Sequence, residues 1–184
     1  GIINGALQTL TGLTLPSFDE TMIDPDYIVI GSTQFRNSGS ISHIMECAAN
    51  GATVIVLDQA DTFADLLTND SVKAVDYRGR FPMSKGNFIA GTHEILHGLP
   101  QSTAFNWEYQ ALYTGRHAAL RLYDVETVIA AISGNVKEVG TALACIPYGR
   151  GMVILSTLNI LENLNADTPQ SAVAKRLFLN MLGY

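Results

Sequence analysis

Five consecutive residues, Phe105-Asn106-Trp107-Glu108-Tyr109, form the polar and aromatic cluster best suited to chemistry in this sequence. An exposed ring can stack on the C–H groups of a pyranose, while amide and carboxylate groups bind its hydroxyls. Asn106, Trp107, Glu108 and Tyr109, with His93, are therefore candidate contacts for a sugar or a protein partner. The alternative is a loop that packs its single Trp onto the domain or a neighbour. Because Trp is highly buried on average, composition favours this alternative.

Histidines and carboxylates raise the question of a metal site. His93 and His97 have the i, i+4 spacing of zinc ligands on a helix. However, Gly98 and Pro100 favour a turn at this point, so the two rings would not share a helix face. We predict no metal and no cofactor.

The possible nucleophiles lack the flanking residues that would activate them. Cys47 falls in a helical pattern and Cys145 in a strand pattern, which predicts two buried free thiols rather than a disulfide. Ser32 follows a strand but lacks the glycines of a nucleophile elbow, so a cap or loop hydrogen bond is the simpler role. Gly149-Arg150-Gly151 lies between two strands, not at a helix N-terminus, which argues against phosphate binding.

Composition narrows the class of protein further. The 184 residues are 47% apolar and only 15% charged, with a net charge of −6. Lys and Arg are not clustered, so the electrostatic signature of nucleic-acid binding and of a polybasic membrane patch is missing. The longest apolar runs, such as Thr53 to Leu57, are far too short to span a bilayer.

The elements that must position these residues alternate in the first half. Strand patterns at Asp26 to Ser32, Ala52 to Leu57 and Val72 to Tyr77 are separated by helical patterns at Ser40 to Gly51 and Thr62 to Leu67. This order predicts parallel strands joined by right-handed crossovers. A helix is predicted from Ile2 to Leu10. Because α/β domains normally open with a strand, we expect the first strand to be lacking.

The second half follows a different pattern. Residues 78–118 predict long loops, and strands follow at 119–123, 127–133, 140–146 and 152–156. The last two strands are joined by a turn at Tyr148-Gly149-Arg150-Gly151. The final helix has Thr168 as N-cap and Pro169 as its first residue, and Gly183 ends it. The prediction is one domain over 1–184, of α/β class, with a mainly parallel sheet and an antiparallel C-terminal hairpin.

Three segments carry a resemblance to a known family. They are Pro25 to Ser32, Thr92-His93-Glu94-Ile95-Leu96-His97-Gly98-Leu99-Pro100, and Tyr148 to Leu158 together with the helix ending Ala174 to Leu182. These segments resemble the class I glutamine amidotransferase-like domain, a flavodoxin-like three-layer sandwich. The similarity is greatest to the accessory domain of multidomain glycoside hydrolases, family 2 type, of Bacteroides-like bacteria.

The resemblance implies a non-catalytic accessory domain of a carbohydrate-active enzyme, a β-galactosidase-like parent being one example. An active amidotransferase needs a Gly-flanked Cys and a His-x-Glu pair, whereas His93 and Glu94 are adjacent here. The implied partners are sister domains, carbohydrate or a second copy. The implied location is periplasmic or secreted, through a signal peptide of the parent. We expect an apolar docking patch near Phe105 to Tyr113, with the chain start as second candidate.

The alternative is a stand-alone flavodoxin-like enzyme or small-ligand-binding protein. Its site would lie where the parallel strands end, at Gly31-Ser32, Leu57-Asp58 and the loop near His93. Convergent titratable groups at this edge would favour the alternative, and a shallow apolar surface would favour the accessory domain.

Overall fold

A computed structural model describes residues 2–19, 21–32, 38–68, 74–75, 87–104, 107–110, 112, 119–132 and 139–183. Within these residues the elements are, in chain order, α1 (Ile2–Thr11), β1 (Tyr27–Ile30), α2 (Ser38–Asn50), β2 (Thr53–Val56), α3 (Ala60–Thr68), β3 (Ala74–Val75), β4 (Asn87–Ala90), a 3-10 helix (Glu94–Leu96), β5 (Thr103–Ala104), α4 (Trp107–Gln110), β6 (Ala119–Leu120), β7 (Glu126–Ile132), β8 (Val139–Tyr148), β9 (Gly151–Ser156), α5 (Ile160–Leu164) and α6 (Pro169–Met181).

The strands form one mixed sheet in the order β1-β2-β9-β8-β7-β4-β5, with β6 paired to both β8 and β3. The three strands β1, β2 and β9 are parallel, and Val29 lies opposite Ile55, as the crossover through α2 requires. The predicted hairpin of β8 and β9 is present. Antiparallel pairing then continues through β7 and β4 to β5. The chain therefore has the predicted α/β class.

The third predicted strand does not extend the parallel part of the sheet. Its described residues, Ala74 and Val75, pair antiparallel with Leu120 and Ala119 of β6. The place beside β2 is taken by β9, which enters from the C-terminal half of the chain. The parallel interpretation of this strand is therefore wrong, because a long-range pairing displaces the next strand in sequence.

Helices cover both faces of the sheet and make a three-layer structure. Apolar side chains of α2 and α3, including Ile44 and Phe63, pack on one face with Ile28 and Ile30 of β1. Helices α1, α5 and α6 pack on the other face, where Ile55 of β2 is buried. Burial on both faces explains why β1 and β2 are continuous apolar runs rather than alternating ones.

Two local sequence signals are confirmed near the C-terminus. Gly149 in the hairpin turn has φ +59°, a conformation that favours glycine. A Cβ on Gly149 would also lie 2.5 Å from the backbone oxygen of Ala49, so the turn packs directly on the end of α2. The hydroxyl of Thr168 accepts a hydrogen bond from the amide of Ser171, and Pro169 opens α6.

The region predicted as loops contains a strand that the sequence pattern did not predict. In β4, Phe88 and Ala90 are buried while Ile89 is exposed, and Ile89 pairs with Ala130 of β7. Three apolar residues are too few to separate a strand from a loop by periodicity. Within the described residues, no helix combines the length and apolar character needed to cross a bilayer.

Candidate functional site

The aromatic cluster divides between the core and the surface. Tyr109 is completely buried, and its hydroxyl donates a 2.6 Å hydrogen bond to the backbone oxygen of Pro100. Its ring is therefore part of the core, which corrects the prediction that Tyr109 is a surface contact. Glu108 is exposed on α4. Asn106 lies outside the described residues, as does the side chain of Trp107, so their role stays a prediction.

His93 is fixed by local hydrogen bonds and caps the short 3-10 helix. Its Nδ1 accepts from the amide of Ile95 at 3.1 Å, and its own amide donates to the side chain of Gln101 at 3.2 Å. Its Nε2 lies 3.9 Å from a carboxylate oxygen of Glu126. One ring nitrogen is thus used by the backbone, and the other faces an exposed carboxylate.

The strand pairing also shows where His93 lies in the sheet. Ala90 lies opposite Ile129 on antiparallel strand β7. The register continues from Ile129 through Leu143 of β8 to Ser156, so the end of β4 lies level with the C-terminal end of β9. His93 follows β4 and lies beside Glu126 of β7, and the four strands β2, β9, β8 and β7 lie between β4 and β1. The loop of His93 is therefore not beside Gly31-Ser32.

The two thiols are buried, as predicted. Burial and, to a smaller extent, the charge of Glu126, opposite it on β7, together raise the pKa of Cys145 to about 12. Burial also raises the pKa of Cys47, and the charges of Glu46 and Asp24 add to this shift. Because a thiolate is the attacking species in cysteine catalysis, both environments work against a nucleophile.

A Cys-His-Glu cluster nevertheless exists on α2, and the sequence analysis did not predict it. His43 Nε2 lies 3.9 Å from Cys47 Sγ, and His43 Nδ1 lies 3.7 Å from Glu46 Oε2. The spacing His43-x-x-Glu46-Cys47 on a predicted helix was the available signal. However, Nε2 also lies 3.3 Å from the backbone oxygen of Met22. If Nε2 donates its proton to this carbonyl, it cannot accept one from Cys47.

His43 thereby connects α2 to the segment before β1. Its ring also packs against Phe18, with centroids 5.7 Å apart. In the same segment, Asp19 accepts from the side chain and backbone of Thr21, and these hydrogen bonds lower the pKa of Asp19. Among the described residues, no three His, Cys, Asp or Glu side chains are grouped as metal ligands.

A concave feature lies along the outer edge of β1. It is a cavity of about 800 Å³ with residues of α1, α2 and α5, the segment before β1 and the whole of β1 in its wall. Asn4 of α1 holds the outer wall, since its side chain donates to the backbone oxygen of Leu15 and accepts from the Leu15 amide, both at 2.9 Å. The cavity wall is mostly apolar.

Backbone groups of β1 point into this cavity. The amide of Thr53 donates to the oxygen of Asp26, and the amide of Leu57 donates to the oxygen of Ile30. In a parallel pair these two bonds assign the even-numbered residues of β1 to β2. The amides and carbonyls of Tyr27, Val29 and Gly31 therefore face the opposite way. Within the described residues, no other strand pairs with this edge.

Apolar side chains are exposed around the same edge. Of the large apolar residues exposed in the described part of the chain, Ile2, Leu13, Ile23 and Tyr27 lie in the segment that forms the cavity wall, and Ile23 is 87% exposed. The remaining ones are dispersed over α3, β4, β8 and the bend before β7. Within the described residues, this distribution supports the chain start as an apolar surface. Phe105, Tyr113 and the side chain of Trp107 lie outside the described residues, so the apolar patch at the aromatic loop stays a prediction. β1 lies at this edge because β9 occupies the other side of β2.

Comparison with known proteins finds few similarities. No family model matches the chain, and no curated protein matches it. Among solved structures, the exo-beta-1,4-mannosidase Op5Man5 from Opitutaceae bacterium strain TAV5 aligns with a TM-score of 0.49 and 12% sequence identity. The alignment covers 84% of this chain and 24% of the mannosidase chain. This chain thus spans about a quarter of that protein's length.

Proposed function

We propose that this chain is a non-catalytic interaction domain of a larger carbohydrate-active enzyme. The observation that carries the interaction role is the edge of β1, which no other described strand pairs with and which presents backbone hydrogen-bonding groups beside an apolar cavity. Exposed sheet edges are sites where another chain adds a strand. Apolar patches of this kind are typical of surfaces that a partner covers.

The chemistry of the buried thiols supports a non-catalytic role. An amidotransferase would need an exposed thiolate on a sharp turn, whereas Cys47 lies within α2 and Cys145 within β8. Both have raised pKa values, and the His43 ring beside Cys47 faces a carbonyl oxygen. Neither thiol has the environment of an activated nucleophile.

The link to a carbohydrate-active parent rests on the resemblance of three sequence segments. Two of them contact each other here, since Asn180 of α6 binds the turn that contains Ile95 and His97. The segments that carry the resemblance therefore support the fold rather than a reaction. A periplasmic or secreted parent, sister domains as partners, and sugar contact through Trp107 belong to the same proposal.

Two measurements test this proposal. Purified protein is incubated with glutamine and, separately, with nitrophenyl glycosides, and ammonia and nitrophenol are measured. We expect no turnover. Turnover that disappears in Cys47→Ala or Cys145→Ala would contradict a non-catalytic role. The second measurement is the sequence of the reading frame that encodes this chain, where the absence of any glycoside hydrolase domain would overturn the carbohydrate part.

A second candidate function is binding of a small apolar ligand. The cavity of about 800 Å³ is within the size range of ligand pockets, which is the observation that favours it. Its polar wall groups are few, chiefly the hydroxyls of Ser17, Ser32 and Ser40. A titration with a fluorescent apolar probe, followed by a thermal-shift screen, would detect this activity. A ligand that raises the melting temperature and competes with the probe would support it.

A further inference from the structure

We propose that the edge of β1 binds an extended segment of a partner protein, apolar at alternate positions and with Lys or Arg near Asp24 and Asp26. The inference rests on the proposed interaction role and names its occupant. The segment adds to the sheet as a strand beside β1 and fills the cavity. Backbone geometry, the position of the cavity walls and the local charge support it independently.

The backbone of β1 determines the conformation of the occupant. Tyr27, Val29 and Gly31 present amides and carbonyls in the repeat of a parallel or antiparallel ladder. The backbone of Gly31 lies close to Ile3 of the cavity wall, since a Cβ on Gly31 would lie 2.8 Å from the Cδ1 of Ile3. An extended main chain satisfies such a row of groups, whereas a helix or a small apolar ligand does not.

The cavity walls extend over both faces of the sheet edge. On the α2 side the wall includes Ile44 and Ser40. On the opposite side it includes Ile3 of α1 and Leu161 of α5. Side chains of an added strand alternate between the two faces, so each wall would receive every second side chain. The wall of Ile3 and Leu161 suits apolar residues, whereas the α2 wall, which includes Ser40, also suits a small residue such as Thr.

The acidic residues near β1 determine which residues should flank the apolar positions of the bound segment. Residues 1–35 contain Asp19, Glu20, Asp24 and Asp26 but no Lys or Arg. Asp24 and Asp26 immediately precede β1, at one end of the cavity. A partner with a cation at this end has a complementary potential, which raises the association rate and excludes acidic competitors. A second copy of this chain would instead bring the same acidic segment to the interface twice.

The test uses a synthetic peptide in which Val alternates with Thr, flanked at either end by Lys and labelled with a fluorophore. Binding to the whole chain is measured by fluorescence anisotropy. We expect saturable binding that weakens with added salt, because surface charge interactions are screened. A matched peptide with Glu in place of Lys should bind less tightly. Equal binding of the two peptides would contradict the charge argument.

Two variants locate the peptide. Val29→Pro removes the outward amide without removing a β1–β2 hydrogen bond, as edge strands tolerate. Val29→Ala keeps the amide and is its control. Loss of one backbone hydrogen bond should weaken peptide binding by about tenfold in Val29→Pro, with little change in Val29→Ala. If both variants lose peptide binding equally, or if neither loses it, the proposed strand pairing at this edge is overturned. Circular dichroism checks that both variants fold.

A second pair of variants acts through the cavity and remains informative if Val29→Pro does not fold. Ser17→Trp places a large side chain in the wall, while Thr14→Trp lies in the same segment outside the wall. Only Ser17→Trp should reduce peptide binding. Sedimentation tests whether a second copy of the chain occupies the edge instead. Dimers that the Lys peptide does not dissociate would contradict the proposal. If the protein shows no turnover and does not bind the peptide, this inference is overturned but the proposed function is not. If the protein shows turnover, the proposed function is overturned.

Discussion

The side-chain amide of Asn180 donates a 2.6 Å hydrogen bond to the backbone oxygen of Ile95, which is 85 residues earlier in the chain. The same nitrogen lies 2.9 Å from the oxygen of His97. One residue of α6 therefore satisfies two carbonyls where the 3-10 helix ends. The Oδ1 atom of Asn180 is buried and has no hydrogen-bond partner among the described residues. These contacts attach the turn after His93 to the C-terminal helix.

Replacing Asn180 with Ala should destabilise the domain, because two carbonyls lose their donor. The hydrogen bond to Ile95 is partly buried and that to His97 is exposed, so the loss should be near the lower end of the about 1–3 kcal/mol that an unsatisfied buried acceptor costs. Urea unfolding would show it as a lower midpoint with an unchanged slope. Asn163→Ala is the control, since Asn163 makes a local 2.7 Å bond to Asn159 on the short helix α5. An equal loss in both variants would count against a special role for Asn180.

Strong local signals made much of the fold predictable. Thr168 and Pro169 predicted the start of α6, and Gly149 predicted the hairpin turn, because each depends on backbone geometry within a few residues. The apolar runs of β1 and β2 predicted a parallel pair, which the register of Val29 and Ile55 confirms.

Long-range pairing and side-chain placement could not be predicted in the same way. β9 lies beside β2 because of contacts between residues about a hundred positions apart, and this leaves β1 at the edge. The polar hydroxyl of Tyr109 suggested that this side chain is exposed. The hydroxyl instead donates a hydrogen bond to the backbone oxygen of Pro100, which allows the ring to be buried. The cavity depends on the first of these effects, because β1 forms part of its wall.

Alkaline pH should destabilise the domain through Tyr109. Burial raises the pKa of Tyr109 above its ordinary value of 10.0, with a smaller effect from the charge of Glu108. A raised pKa in the folded state stabilises the fold below the unfolded pKa, and this stability is lost as pH rises toward the folded pKa. The free energy of unfolding should therefore fall with pH above about 9–10.

Tyr109→Phe isolates this effect. The variant should be less stable at neutral pH by about 1 kcal/mol, because it loses the hydrogen bond to Pro100. Its stability should fall less steeply above pH 10 than that of the unmodified protein, since no buried phenol is left to ionise. Tyr123→Phe is the control, because Tyr123 is 69% exposed. Parallel pH profiles for the Tyr109 variant and the unmodified protein would refute the assignment.

Both thiols should resist alkylation in the folded protein. Cys145 is 1% exposed with a pKa of about 12, and Cys47 is 5% exposed with a raised pKa. Thiolate is the reacting form, so iodoacetamide at neutral pH should modify neither Cys until denaturant is added. Mass spectrometry of each peptide over time measures this. Rapid native modification of Cys47 alone would indicate that His43 activates it.

The hairpin turn and α1 offer a matched pair of glycine substitutions with opposite expected signs. A Cβ on Gly151 would collide with the backbone oxygens of Ala52 and Ala48, and backbone atoms cannot move aside as a flexible side chain can. Gly151→Ala should therefore destabilise the domain by about 1–3 kcal/mol, as overpacking does.

Gly5 lies within α1, and a Cβ there meets no atom within 4 Å among those described. Gly5→Ala should stabilise the domain by about 0.5–1 kcal/mol through helix propensity. Thermal unfolding of the two variants beside the unmodified protein measures both signs. A stabilising Gly151→Ala would mean that β9 does not pack on the end of α2, and the order β1-β2-β9 would need revision.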